Sequence, residues 1–218
     1  MRKAKICAVI VNNDPKAVKE IESLIDLFEV RIDLIGDGWP ELVKPLKKPW
    51  IACNRSADEG GQWQGNEARR VEGLLQAVEL GADIVDIELR TKNLDRIIQL
   101  VKKKTKCLLS FHDLEKTPPL GEMKEIVKRQ LKSGADIAKL VTTARNFEDN
   151  LTALKLITEF PEAKLVSFTM GTQGTMSRIL CPLVGGDFTY ASIAEGKESA
   201  AGQITVRNLR QIYEMVKE

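Results

Sequence analysis

Residues 135–141 read A-D-I-A-K-L-V and place Lys139 inside an apolar run that has the pattern of a β-strand. A buried ammonium costs far more than its four-carbon stem recovers, so a lysine is seldom enclosed unless it is paired or functional. Two readings follow. Lys139 is either a structural lysine satisfied by a carboxylate, or an amine whose pKa is drawn down from about 10.4 toward roughly 7 to 8, ready to attack a carbonyl and form a Schiff base. His112, the only histidine, ends the apolar run that precedes the lysine run. A lone histidine is most often structural, yet a group titrating near neutrality beside a buried amine is what imine chemistry requires.

The elements that must position these two groups repeat along the chain. Eight β-branched or apolar runs, at 5–11, 28–35, 50–55, 83–89, 107–112, 136–142, 164–170 and 188–193, alternate with stretches of helical periodicity, including 15–27, 67–80, 94–103, 120–133, 150–160 and 206–217. Eight strand–helix units without a break in composition predict an α/β fold, a single-domain (β/α)8 TIM barrel over residues 1–218. A doubly wound open sheet is the alternative. Against it, Asn12-Asn13-Asp14-Pro15 follows the first strand where a G-x-G-x-x-G phosphate loop would stand.

In a barrel, side chains near the C-terminal strand ends converge on one mouth. Those ends carry Glu29, Arg31 and Asp33 at alternate positions, Arg55 followed by Glu59-Gly60-Gly61, Asp86 and Glu88, His112, Lys139 and Met170. A structural barrel would fill these layers with Val, Ile and Leu. Asp33, Asp86 and Glu88 are expected to pair with the arginines and the lysine. The loop 171–175 is a candidate phosphate cradle, and 194–203 follows the last strand.

Composition narrows the function further. The chain has 218 residues, 43% hydrophobic and 29% charged, with a net charge of +2. That balance suits one soluble domain and argues against a dedicated nucleic-acid binder. No apolar segment approaches the roughly 18 residues that cross a bilayer, and the first residues enter a strand directly, so a cytoplasmic protein without membrane partners is expected. Cys7, Cys53, Cys107 and Cys181 lack C-x-x-C spacing and read as core thiols. With one histidine and no H-x-H or E-x-x-H pair, no metal is expected.

Several segments together resemble type I 3-dehydroquinate dehydratase: Glu29-Val30-Arg31-Ile32-Asp33, Arg55-Ser56 with Glu59-Gly60-Gly61, Ser110-Phe111-His112-Asp113 with Lys116-Thr117-Pro118, Ala135-Asp136-Ile137-Ala138-Lys139, Ser177-Arg178 and Gly202-Gln203-Ile204. Each motif is weak alone; their order is specific. The resemblance implies a barrel enzyme of the shikimate pathway that dehydrates 3-dehydroquinate to 3-dehydroshikimate without metal or organic cofactor. It implies Lys139 as the Schiff-base lysine, His112 as general acid and base, and Glu59 as the carboxylate orienting the histidine. Arg178, with Ser199 and Gln203, would grip the substrate carboxylate, while Glu29, Arg31 and Arg55 would hold the ring hydroxyls. In that setting Arg55 and Arg178 are expected to disfavour the charged form of Lys139, and Glu59 to favour imidazolium.

Ser199-Ala200-Ala201-Gly202-Gln203 lacks the proline common in the family's last loop, which predicts a less constrained loop. Val9 stands where many members have a serine. A homodimer is the expected assembly, with Ile212, Tyr213 and Val216 as interface or barrel-wall residues. Competing readings are a class I aldolase acting on a sugar phosphate and a barrel that senses a small acid without turnover.

Overall fold

The structure, a computed structural model, describes residues 3–216. Eight parallel strands, β1 (Ile6–Ile10), β2 (Leu27–Arg31), β3 (Trp50–Cys53), β4 (Ile84–Glu88), β5 (Lys106–His112), β6 (Ile137–Thr143), β7 (Leu165–Met170) and β8 (Thr189–Ser192), run in the order β7-β6-β5-β4-β3-β2-β1-β8. Nearly every strand residue is buried, as befits strands covered on both faces. The open doubly wound sheet is therefore excluded: β1 pairs with β2 on one side and β8 on the other. Between β7 and β8 the ladder is interrupted. There Asp187 N–H donates to the Leu165 carbonyl at 2.9 Å, and the Phe168 and Tyr190 rings meet edge to face at 6.0 Å.

The helices α1 (Pro15–Ile21), α2 (Ile32–Ile35), α3 (Trp39–Val43), α4 (Glu67–Glu79), α5 (Leu94–Val101), α6 (Leu120–Lys132), α7 (Glu148–Thr158), α8 (Thr175–Leu180) and α9 (Val206–Met215) form the outer layer. Each long helix buries one stripe, for example Met123, Val127 and Gln130 on α6 at spacings of four and three. Gln130 is the informative member. It is fully buried, and its Nε2 donates to the carbonyls of Leu109 on β5 (3.0 Å) and Lys139 on β6 (2.8 Å), tying together the backbones of the histidine and lysine strands.

Three predicted spans need correction. The strand read at 28–35 ends at Arg31, and the chain turns into α2, because Asp33 bonds the Arg31 guanidinium (2.9 and 2.7 Å) and accepts the backbone N–H groups of Arg55 (3.2 Å) and Gln62 (3.0 Å). Those long-range bonds override the local alternation. The helix read at 15–27 stops at Ile21, followed by a 3-10 turn at Glu22–Leu24, and Leu27 already belongs to β2. The helix read at 206–217 is described to Met215; residue 217 lies outside the described residues.

All four cysteines are free and buried, with Cys181 in a 3-10 turn. Burial pushes the Cys107 and Cys181 thiols up to about 12, so they are inert packing groups. Tyr213 belongs to the barrel wall: it is buried and its hydroxyl donates to the Ile179 carbonyl at 2.8 Å, whereas Val216 is exposed. No helix among the described residues is long and apolar enough to cross a membrane.

Candidate active site

The strand register stacks the two reactive groups. Ser110 pairs with Lys139, and His112 pairs with Val141. His112 is thus two residues, roughly 6.6 Å of strand, nearer the mouth than Lys139. The amine forms a floor and the imidazole a wall.

Lys139 is buried at 4% exposure, with Nζ 3.0 Å from Asp86 Oδ2, 3.3 Å from Glu29 Oε1 and 4.2 Å from the centre of the Tyr190 ring. Burial works against the ammonium, but Asp86 and Glu29 outweigh burial and the nearby Arg55, so its pKa is raised rather than lowered. The expected depressed amine is not the resting state. Asp86 is held well below the usual carboxylate range, because the cations Arg55 and Lys139 overcome its complete burial. Arg55 bonds Asp86 at 2.6 Å and Ser110 Oγ at 2.6 Å, lies 3.1 Å from Glu88, and donates to Cys53 Sγ at 3.3 Å. Glu29, Cys53 and Asp86 cluster closely enough to suggest a metal-ligand set, but their donor atoms already accept hydrogen bonds from Lys139 and Arg55.

Glu59 reaches His112 because the chain doubles back after β3. The turn Ala57–Glu59 is followed by Gly61, whose N–H donates to the Ser56 carbonyl at 2.9 Å. A Cβ at Gly61 would lie 2.0 Å from the Arg55 carbonyl oxygen, so only glycine permits this turn. Glu59 Oε2 then faces both the His112 backbone N–H (3.0 Å) and ring Nδ1 (2.9 Å).

Burial raises the Glu59 carboxyl to about 7, and burial with Arg55 and Lys139 pulls His112 well below its ordinary value. Burial, Arg55 and Lys139 thus outweigh the pull of Glu59 toward imidazolium. The imidazole is neutral; in the tautomer that donates from Nδ1 to ionised Glu59, Nε2 is free to act as a base.

Arg178 on α8 differs from the other arginines. Arg31 has Asp33, and Arg55 has Asp86 and Glu88; Arg178 has no carboxylate partner among the described residues. It is 3% exposed, its Nε has no hydrogen-bond partner, its guanidinium lies 4.4 Å from the Phe168 ring centre, and burial lowers it to about 10. A buried cation without an anion is costly unless an anion arrives.

The loop after β8 brings Ser199 and Gln203 to the rim, where Ser199 N–H donates to Gln203 Oε1 at 2.9 Å. This loop is pinned even without the proline. Gly171 N–H donates to the Ala201 carbonyl at 3.1 Å, and a Cβ at Gly202, whose φ is +77°, would lie 2.2 Å from the Gly171 oxygen. The same bond removes Gly171 from the supposed phosphate cradle; Gly174 N–H is spent on the Gly171 carbonyl at 3.0 Å.

One pocket, open at the mouth, is lined by Glu29, Arg31, Arg55, Glu59, His112, Lys139, Arg178, Ser199 and Gln203, so the structure brings every sequence-predicted site residue together. Met170 forms part of its wall. Sequence reasoning missed Tyr190 under the amine, Phe168 under Arg178, Ser110 between Arg55 and Asp86, and Gln130 behind the two strands. Tyr190 had a signal in the alternation of Thr189-Tyr190-Ala191-Ser192; the others depend on register.

A family model described as type I 3-dehydroquinase matches residues 6–218. The 3-dehydroquinate dehydratase of Dehalococcoides mccartyi is 41% identical over 217 residues, covering 99% of this chain and 97% of that protein. That of Methanocaldococcus jannaschii is 36% identical, covering 97% and 98%. Among solved structures, the 3-dehydroquinate dehydratase of Geobacillus kaustophilus superimposes with a TM-score of 0.86 at 25% identity, covering 99% of this chain and 92% of that one.

Proposed function

Because the chain belongs to the type I 3-dehydroquinase family, the hydro-lyases that convert 3-dehydroquinate to 3-dehydroshikimate in the shikimate pathway, we propose that it performs this dehydration through an imine on Lys139. The observation that carries the reading is one pocket holding a buried primary amine, a neutral imidazole with a free Nε2 and a guanidinium without an anion.

Arg178 takes the substrate carboxylate, for which a planar guanidinium offers two parallel hydrogen bonds, with Ser199 and Gln203 at the rim. Glu29, Arg31 and Arg55 take the ring hydroxyls. Attack requires the free amine, so the Lys139 proton must leave first. Substrate hydroxyls that draw Glu29 away remove one of the two charges holding that proton, and neutral His112 is the acceptor above it.

Nζ adds to the ketone carbon, and His112 returns the proton to the carbinolamine hydroxyl, which leaves as water; a protonated imine and a neutral His112 remain. His112 Nε2 removes a proton from the adjacent carbon, and the electron pair moves into the imine as an enamine. Its return expels the β-hydroxyl, which takes the proton from His112 and leaves as water. Hydrolysis of the remaining imine restores the amine, so the net change is the loss of one water. The imine is the electron sink; the steps call for no metal or organic cofactor.

A cytoplasmic homodimer acting on this small molecule, without nucleic-acid or membrane partners, belongs to the same proposal. The aldolase reading loses support because two of the backbone donors that would cradle a phosphate, the N–H groups of Gly171 and Gly174, are bonded internally. The test is direct: 3-dehydroquinate mixed with the protein should develop the absorbance of a conjugated enone, and Lys139→Ala should not. A wild-type protein that binds the substrate without forming the enone selects the sensor reading instead.

A further inference from the structure

The two oxygens of Glu59 have unequal surroundings. Oε2 serves His112 twice, whereas Oε1 is buried and has no hydrogen-bond partner among the described residues. Arg90, just beyond β4, brings Nη1 to 4.0 Å from that oxygen. Its guanidinium is held 4.2 Å from the ring centre of Phe111, the neighbour of His112 on β5. A second cleft, apart from the substrate pocket, opens on this side, and Glu59 lines both.

We propose that Arg90 is a positioning residue for the Glu59–His112 pair: from the second cleft it keeps Glu59 ionised, so that His112 holds its proton on Nδ1 and presents a bare Nε2 to the substrate. The proposal rests on the acid–base role given to His112 above.

Arg55 is the strongest cation acting on Glu59, with the His112 backbone N–H also holding the carboxylate and Glu88 repelling it; Arg55 is committed to Asp86 and lies beside Glu88, so Arg90 adds a smaller, separate contribution from the second cleft. Across the cleft, Arg70 is bonded by Glu67 and Glu88; Asp58 and Lys92 complete the charged lining. Arg90 has no ion pair other than Glu59 among the described residues, and its half-exposed side chain leaves Nη1 at 4.0 Å, an ion pair longer than a hydrogen bond.

The consequence for His112 is a change of tautomer. Protonated on Oε2, Glu59 presents an O–H to Nδ1, which then accepts, and the ring proton moves to Nε2. An Nε2 that carries a proton cannot remove one from substrate. Because Glu59 titrates near 7, a modest loss of cationic field converts a large share of the enzyme at neutral pH.

The experiment uses the single histidine. Protein labelled with ring-¹⁵N histidine yields only the two ring nitrogens of His112, whose shifts report tautomer and protonation without substrate. Arg90→Met should move the titration midpoint upward by about half a pH unit, as suits loss of a half-exposed cation, and move the acidic limb of kcat with it. Arg90→Lys should return both most of the way. A midpoint unmoved in Arg90→Met overturns the proposal. Should Lys139 fail to form an imine, the functional reading falls, while the nitrogen shifts of the free protein still decide the role of Arg90.

Discussion

His112 lies two residues nearer the barrel mouth than Lys139, since the ladder pairs Ser110 with Lys139 and His112 with Val141. In the proposed mechanism, a carbonyl carbon bonded to the amine at the floor would have its neighbouring carbon beside the imidazole, and binding of the carbonyl and transfer of the proton would fall to different residues.

That division predicts separable losses in the pair above the floor. His112→Ala should still trap some imine but lower kcat by about 10²- to 10⁴-fold, the usual weight of a general acid–base group. Glu59→Gln keeps the shape but cannot ionise; it should reduce kcat comparably and abolish the acidic limb expected near pH 7 in the wild type. Steady-state and single-turnover kinetics across pH separate these effects.

Asp86 compensates two buried cations, Lys139 at 3.0 Å and Arg55 at 2.6 Å. Asp86→Ala leaves both short of a partner and should destabilise the fold by about 3–5 kcal/mol, measured by urea unfolding. The native carboxyl titrates far below its unfolded value of about 3.9, so its contribution is full above that value and is lost as pH falls toward the depressed native one. The stability gap between wild type and Asp86→Asn should therefore shrink below about pH 4.

Arg178 should behave in the opposite way. Its charge is buried without an anion, so Arg178→Met should leave the thermal stability of the substrate-free protein unchanged or higher. The same change should lower kcat/KM by about two to three orders of magnitude, because the substrate carboxylate loses its buried partner. A variant with lower stability and normal kcat/KM would assign Arg178 to the fold instead of the substrate.

The barrel was legible because eight apolar runs alternate with helical periodicity, and the residues at their ends define one mouth. The end of β2 was misread because Glu29 to Asp33 alternate like a strand, while the turn at Ile32 depends on Asp33 meeting Arg31, Arg55 and Gln62. Residue types at the mouth could be named, but not their pairings. Asp86 reaches Lys139 only through the registers of β4, β5 and β6, which is why the sequence suggested a depressed lysine and the structure has a raised one. The unpartnered state of Arg178 is likewise a property of the assembled pocket, visible in no segment.

Reduction with borohydride in the presence of 3-dehydroquinate, followed by peptide mass spectrometry, tests the central claim most directly. The account predicts a stable adduct on Lys139, absent without ligand and absent in Lys139→Ala. Turnover of 3-dehydroquinate with Lys139 left unmodified under reduction would contradict it.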